Sequence, residues 1–190
     1  MNDNHALCAT EEWLDHIHRD VLEPLLTSLD LGSSLLEIGP GLGAATDWLR
    51  HRVDQLVALE VDPEAVERLR ARFAGTNVVV QVGDAKSLEF PDSTFDSVGT
   101  FTMLHHLPTV SAQNRVLSEA FRALRPGGVL VGSDSLASTD LHDFHAGDVY
   151  NPVEPAALVT RLLTIGFVSL TLSVGDDLRF SAHKPSTEAA

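Results

Sequence analysis

Cysteine, lysine and tyrosine are scarce in this 190-residue chain. Cys8 is the only cysteine, so no disulfide can form within the chain, which is typical of a protein in a reducing compartment. The only lysines are Lys86 and Lys184, and the formal net charge is −14. Because so acidic a surface repels a phosphate backbone, we expect no nucleic-acid partner.

Long apolar runs are also missing. No run approaches the ~20 residues of a membrane-spanning helix, and the first residues lack the basic and then apolar pattern of a signal peptide. We therefore expect a cytoplasmic protein with no membrane partner. The length predicts one domain over residues 1–190, with an N-terminal cap helix region (1–33), a core (34–184) and a short tail (185–190). The sequence does not indicate an oligomeric state.

Short apolar and β-branched runs alternate with helical patterns from Leu35 onward, which predicts parallel βαβ units with helices on both faces of a sheet. Only Gly175, Asp176 and Asp177 separate the last two runs, so these two strands must pair as an antiparallel hairpin. The predicted strands are Leu35–Ile38, Gln55–Glu60, Asn77–Val82, Phe95–Phe101, Gly128–Asp134, Phe167–Val174 and Asp177–His183.

Two segments lie outside this alternation. Residues 10–30 predict an amphipathic helix that Pro24 kinks or divides, and this helix either covers a binding pocket or only packs on the sheet. Its predicted buried face carries Trp13, Ile17, Val21 and Leu25. Residues 135–154 predict a polar lid bordering the pocket. The lid is rich in aspartate and histidine, but their spacing matches no zinc or EF-hand pattern, so we predict no metal site.

The first predicted strand runs directly into a glycine-dense turn, residues 39–43, whose backbone amides can approach a cofactor. Two cofactors fit this turn. Gly39, Gly41 and Ala44 satisfy the dinucleotide pattern, whereas Gly39, Gly41 and Gly43 satisfy the S-adenosylmethionine pattern. Glu60, at the end of the second strand, does not distinguish the two cofactors, because both carry a ribose whose hydroxyls need a hydrogen-bond acceptor.

Three other features favour S-adenosylmethionine. Glu37 can face the ammonium of a methionine tail but would repel a pyrophosphate. Asp84, which follows the third strand, can accept a hydrogen bond from an adenine amino group. The terminal hairpin fits poorly in a six-stranded parallel nucleotide-binding sheet. A nicotinamide-dependent oxidoreductase remains the alternative, although the only tyrosine, Tyr150, has Glu154 where the short-chain enzymes need lysine.

Over residues 35–184 the chain resembles the class I S-adenosylmethionine-dependent methyltransferases. Five segments in the order of that family carry the resemblance: residues 36–43 (LEIGPGLG), 59–63 (LEVDP), 83–85 (GDA), 95–98 (FDSV) and 124–128 (LRPGG). The resemblance implies an α/β fold with a Rossmann-like seven-stranded sheet, mostly parallel with a C-terminal antiparallel hairpin. The implied cofactor-binding residues are Glu37, Gly39, Pro40, Gly41, Gly43, Glu60, Val61, Gly83, Asp84, Ala85 and Phe101.

The same resemblance implies a role for each part of this set. The glycines would pass the backbone around the methionine portion, and Glu60 would accept hydrogen bonds from the ribose hydroxyls. Val61 would pack on the adenine, Asp84 and the amide of Ala85 would read its edge, and the backbone near Phe101 would border the methionine. S-adenosylhomocysteine would be the product. Asp96 is expected to be a structural turn residue.

Methyl transfer needs a base only when the acceptor is a hydroxyl or a similar acid. Six residues are candidate bases by type and position: His105, His106, Asp134, His142, His145 and Tyr150. Of these, His106 and His145 are the predicted catalytic residues. Motifs of amide-nitrogen, adenine and cytosine methylation are missing, so we expect a small-molecule acceptor and leave its reacting atom open. A non-catalytic protein that binds S-adenosylmethionine is a second alternative.

Overall fold

The structure is a computed structural model that describes residues 10–186. Cys8 and the end of the predicted tail lie outside these residues. The described part contains one seven-stranded sheet. Its strands are β1 (Ser34–Ile38), β2 (Gln55–Glu60), β3 (Val78–Val82), β4 (Phe95–Phe101), β5 (Leu124–Ser135), β6 (Val168–Val174) and β7 (Asp177–His183).

The strand order is β3-β2-β1-β4-β5-β7-β6. Strands β1 to β5 pair in parallel, and β7 is antiparallel to both β5 and β6. The central strands β1 and β4 are buried along almost their whole length, as a parallel sheet covered on both faces requires. This arrangement confirms the predicted fold, including the terminal hairpin.

Strand β5 begins four residues earlier than predicted. Leu124 already pairs with Phe95, and a bulge follows before the regular pairing of Val129 with Ser97. The Pro126-Gly127-Gly128 segment therefore lies within a bulged strand. Strands β3 and β6 each begin one residue later than predicted.

Helices precede the first strand and lie between several of the later strands. They are α1 (Glu11–Asp15), α2 (Glu23–Leu26), α3 (Ala44–Leu49), α4 (Pro63–Arg72), α5 (Val110–Ala123), α6 (Thr139–Phe144) and α7 (Pro155–Ile165). Asp62 caps α4, because its side chain accepts a hydrogen bond from the amide of Glu64 (2.9 Å) and Pro63 follows at the first helical position. Helix α6 was not predicted, and it shows that the connection between β5 and α7 is not purely a loop.

Between α1 and α2 the chain forms a π-helical segment, His16–Leu22. A π-helix has a wider turn than an α-helix, so the buried face shifts along the sequence. Ile17 and Val21 are buried as predicted, but Leu22 and Leu26 are buried after them, whereas Leu25 is only half-buried. Leu25 nevertheless packs against the core, so the buried face is wider than the predicted one and also includes Leu22 and Leu26.

Helices cover both faces of the sheet. On one face α5 and α7 pack through apolar side chains such as Leu117 and Leu162. On the other face the N-terminal segment, α3 and α4 pack through side chains such as Ile17, Leu49 and Leu69. None of the helices between residues 10 and 186 combines the length and the hydropathy that a membrane span needs.

Candidate functional site

A cavity of about 620 Å³ lies at the carboxyl ends of β1 to β4. This volume is in the range of sites for cofactors and small ligands. The structure brings ten of the eleven predicted cofactor-binding residues to its wall: Glu37, Gly39, Pro40, Gly41, Glu60, Val61, Gly83, Asp84, Ala85 and Phe101. Gly43 is the exception.

The glycine turn between β1 and α3 uses each glycine differently. Gly39 (φ 68°) and Gly41 (φ 57°) line the cavity in the left-handed region. A Cβ on Gly39 would overlap the side chain of Met103, whereas one on Gly41 would meet nothing within 4 Å. Gly43 caps α3, and a Cβ there would lie 2.8 Å from the Phe73 ring. Gly43 thus serves close packing of the turn against α4.

Glu37 is a buried carboxyl group at the base of the cavity, with 1% of its surface exposed. The Thr46 hydroxyl donates a hydrogen bond to its Oε2 (2.6 Å). Burial raises the pKa of Glu37 to about 7, an effect that the Thr46 hydrogen bond opposes and the nearby charge of Glu60 reinforces. A carboxyl group in this setting ionises more readily when a cation lies beside it.

Glu60 links the end of β2 to the glycine turn. Its Oε1 accepts hydrogen bonds from the amides of Val61 (2.8 Å) and Asp62 (3.2 Å), and its Oε2 accepts one from the amide of Gly41 (3.3 Å). These bonds hold the carboxylate at the cavity wall. Because a carboxylate has about four lone-pair sites, it can accept a further donor from a ligand.

Val61 and Asp84 form the outer part of the same wall. Val61 is 67% exposed, which leaves an apolar surface open beside the polar turn. Asp84 accepts a hydrogen bond from the amide of Lys86 (2.9 Å), and its other oxygen lies 3.3 Å from the Lys86 ammonium. Asp84 therefore caps a turn and also faces the cavity.

The remaining cavity wall was not predicted residue by residue. Thr102 follows β4 with φ 49°, an uncommon conformation for a β-branched residue, and it turns the chain across the cavity. The other unpredicted wall residues are mostly apolar: Trp13, Ile17, Ile38, Leu42, Ala44, Ala45, Leu59, Asp62, Lys86, Met103, Leu107, Pro108, Asp148 and Val149. The amphipathic pattern of residues 10–30 was the signal for Trp13 and Ile17, and both of these residues line the cavity.

Three histidine rings lie together beside this cavity, and we call His105, His106 and His145 the histidine cluster. One ring nitrogen of each lies within 4.8 Å of the corresponding nitrogens of the other two. His106 lines the cavity, whereas His105 and His145 are buried behind it. His145 does not line the cavity, and its catalytic role stays a prediction. His142 is exposed and lies outside the cluster.

Asp134 and Tyr150 are two of the neighbours of the histidine cluster. The buried Asp134 carboxylate accepts a hydrogen bond from Nδ1 of His105 (2.6 Å). Tyr150 stacks on His145 with a centroid distance of 4.6 Å and an interplanar angle of 13°. Sequence reasoning selected all of these residues as separate candidate bases but could not indicate that they form one cluster.

Asp96 lies at the opposite end of the sheet from the cavity. Burial alone would raise its pKa, but hydrogen bonds from Ser34, Arg125 and Ser33 outweigh that effect and lower the pKa to about 2. Its Oδ2 accepts bonds from the amides of Ser33 (3.1 Å) and Ser34 (3.0 Å). This carboxylate ties the start of β1 to β4, as expected for a structural residue.

Comparisons with known proteins agree with this geometry. Residues 36–132 match the family described as methyltransferase domain. A probable S-adenosylmethionine-dependent methyltransferase of Mycolicibacterium smegmatis is 34% identical over 152 residues, which cover 75% of this chain and 55% of that protein. A probable ribosomal RNA small subunit methyltransferase A of Pyrobaculum aerophilum is 34% identical over 140 residues, covering 67% of this chain and 60% of that protein. The chain thus spans little more than half the length of these relatives.

A solved structure shares the fold at low sequence identity. Haemonchus contortus phosphoethanolamine N-methyltransferase 2, in complex with S-adenosyl-L-methionine, superposes with a TM-score of 0.75 at 14% identity. The match covers 98% of this chain and 61% of that protein.

Proposed function

The chain belongs to the family of class I S-adenosylmethionine-dependent methyltransferases, and we propose that it transfers the methyl group of S-adenosylmethionine to a small molecule. One observation carries this proposal. A single cavity joins a glycine turn and three carboxyl groups (Glu37, Glu60 and Asp84) to a chamber with mostly apolar walls. The family membership removes the nicotinamide-dependent oxidoreductase from consideration.

The carboxyl groups suit the polar ends of the cofactor. Glu37 at the base would pair with the methionine ammonium, and Glu60 would accept hydrogen bonds from the ribose hydroxyls. Val61, exposed on the outer wall, would be covered by the adenine ring, and Asp84 would accept from the adenine amino group. The positively charged sulfonium would then lie between these ends, near Met103 and His106.

The chamber next to that position suits the acceptor. Met103, Leu107, Pro108 and Val149 give it an apolar lining. The sulfonium is already activated, so the enzyme mainly has to hold the acceptor in line with the methyl–sulfur bond and exclude water. Such positioning can lower a barrier by up to about 7–11 kcal/mol.

The charge of the cavity favours a small acceptor over RNA, although the relative from Pyrobaculum aerophilum is named as a ribosomal RNA methyltransferase. Binding of RNA depends on lysine and arginine side chains that neutralise phosphates. Within the described residues, Lys86 is the only lysine or arginine of the cavity wall, and Asp84 pairs with it. The net charge of −14 further opposes a polyanion.

Of the histidine cluster, His106 lines the cavity, which supports it as the base for an acceptor bound in this chamber. For a hydroxyl acceptor, its ring would take the proton as the oxygen attacks the methyl group. We expect His106→Ala to lower kcat by about 10²-fold or more with an acidic acceptor. The affinity for S-adenosylhomocysteine, measured by calorimetry, should stay unchanged. A variant with full turnover would contradict this role.

The proposed activity is tested with S-adenosylmethionine labelled in its methyl group. The protein is incubated with a panel of hydroxyl, amine, thiol and carbon-acid acceptors, and separately with structured RNA. We expect label in at least one small molecule and none in the RNA. Label in RNA alone would contradict the proposed acceptor class. Tight binding of S-adenosylhomocysteine without any transfer across the panel would instead support a non-catalytic binding protein.

A further inference from the structure

We propose that the histidine cluster (His105, His106 and His145) is a binding site for a divalent transition-metal ion such as Zn²⁺, placed at the acceptor side of the cavity. The site itself stands on geometry alone, whereas its role in catalysis rests on the proposed function. This inference departs from the prediction of no metal site, which considered only spacing along the chain. The three rings come together because β4 and the connection before α7 meet at one edge of the sheet.

The geometry fits three imidazole ligands. Zn–N bonds of 2.0–2.1 Å at tetrahedral angles place ligand nitrogens about 3.3 Å apart. The three nitrogens lie within 4.8 Å of one another, so metal binding would require them to approach by up to about 1.5 Å. Imidazole nitrogen is a ligand that suits Zn²⁺, Cu²⁺, Fe²⁺ and Ni²⁺.

The hydrogen bonds behind the cluster orient two of the rings as metal ligands. A ligating histidine nearly always donates its other ring N–H to a carboxylate or a backbone carbonyl. Nδ1 of His105 bonds to the Asp134 carboxylate (2.6 Å), and Nδ1 of His145 bonds to the carbonyl of Leu141 (2.7 Å). Because both partners are acceptors, Nδ1 of each ring carries the proton. In its neutral form, each ring then has its lone pair on Nε2.

Asp134 is itself held in place. Its Oδ1 also accepts a hydrogen bond from the amide of Ser135 (2.9 Å), and its Oδ2 accepts one from the amide of His105 (3.3 Å). The side chains of both Asp134 and His105 are almost completely buried. Asp134 is therefore a positioning residue that orients His105 and strengthens its basicity as a ligand.

The position of His106 gives the site a function. His106 lines the cavity, so a metal bound by the cluster would keep its open coordination position toward the acceptor chamber. A hydroxyl or thiol acceptor bound there would lose its proton to water at a lower pH than in solution. Its lone pair would then form the bond to the methyl carbon. The carbon–sulfur bond of the sulfonium would break, with its electron pair left on the sulfur of S-adenosylhomocysteine.

This mechanism would replace the role of general base proposed for His106, because a ring whose lone pair binds a metal cannot also accept a proton. With a metal bound, the ring is a ligand, and the metal promotes the loss of the acceptor's proton. Both roles predict lower turnover in His106→Ala. Only the metal site predicts that the same variant loses affinity for Zn²⁺.

The test is calorimetric titration of the EDTA-treated protein with ZnCl₂. We expect one Zn²⁺ per chain, and affinity lower by at least about tenfold in His105→Ala, His106→Ala and His145→Ala. His51→Ala is the matched control, because His51 is exposed in the turn after α3, and its affinity should equal that of the unchanged protein. With Co²⁺ in place of Zn²⁺, visible absorption bands should report tetrahedral nitrogen ligation.

Asp134→Asn tests the orienting carboxylate, with an expected loss of about 10- to 100-fold in Zn²⁺ affinity. Should a buried variant fail to fold, the half-buried His106→Ala still decides the question. The inference is overturned if the unchanged protein binds no Zn²⁺, or if His106→Ala binds it as tightly as His51→Ala. S-adenosylhomocysteine is titrated into the same samples, so that a missing metal site is distinguished from a missing cofactor site.

Discussion

Replacement of Glu37 by glutamine should change how the stability of the protein depends on pH. The pKa of Glu37 rises from its ordinary value of 4.5 to about 7 in the folded chain, mainly because the group is buried. The folded state then binds more protons than the unfolded state between these two pH values. The stability that Glu37 contributes is therefore fully present below about pH 4.5 and is lost as the pH rises through about 7.

The difference in pKa corresponds to about 3 kcal/mol in the free energy of unfolding. Most of it, about 2–3 kcal/mol, is lost between roughly pH 5 and pH 8. Glutamine keeps an oxygen that can accept the Thr46 hydroxyl but has no charge to desolvate. We therefore expect the stability of Glu37→Gln relative to the unchanged protein to rise by about 2–3 kcal/mol over this pH range.

Urea denaturation of both proteins at the two pH values measures this quantity. Any constant effect of the buried amide cancels, because only the change with pH is compared. Glu64→Gln is the control, since the Glu64 side chain is 86% exposed on α4 and should show no such change. A difference between Glu37→Gln and the unchanged protein that stays constant with pH would refute the reasoning.

Three further substitutions separate structural roles from binding roles. Asp96→Ala should lower the free energy of unfolding by about 2–3 kcal/mol in urea denaturation, through lost hydrogen bonds to a charged acceptor, while the Kd for S-adenosylhomocysteine stays the same. Gly39→Ala should weaken the binding of S-adenosylhomocysteine at least about tenfold, because the added methyl group would overlap the side chain of Met103 and displace the glycine turn. Gly75→Ala is its control, having a similar φ of 76° with nothing within 4 Å. Trp13→Ala should weaken the binding of S-adenosylhomocysteine, measured by calorimetry, by about 1 kcal/mol, because roughly 50 Å² of apolar contact is lost. Unchanged affinity would mean that the N-terminal segment only packs on the sheet.

Local sequence patterns were sufficient to predict the sheet, and together with the family resemblance they predicted the carboxyl groups and the glycine turn of the cavity wall. Glu37 is the last residue but one of β1, Glu60 ends β2 and Asp84 follows β3, and parallel strands place their carboxyl ends at one edge of the sheet. Their meeting in one cavity follows from topology alone. Sequence patterns could not distinguish Gly43 from the two glycines that line the cavity, because the role of Gly43 in packing depends on the ring of Phe73, which is distant in the sequence.

The features that could not be predicted depend on contacts between distant segments. The histidine cluster joins the end of β4 to residue 145, and the sequence contains no periodicity that relates these positions. The π-helical segment His16–Leu22 shifts the buried face of the N-terminal helix from the positions that regular α-helical spacing predicts. The contact of His18 with the carbonyl of Ala44 (2.9 Å) and the burial of Leu22 favour this conformation.

A crystal structure of the complex with S-adenosylhomocysteine tests the central claim most directly. The account predicts the ribose hydroxyls on Glu60, the amino group beside Glu37, the adenine against Val61, and the sulfur facing the chamber next to His106. A ligand bound elsewhere, or bound in this cavity with its ribose away from Glu60, would contradict it.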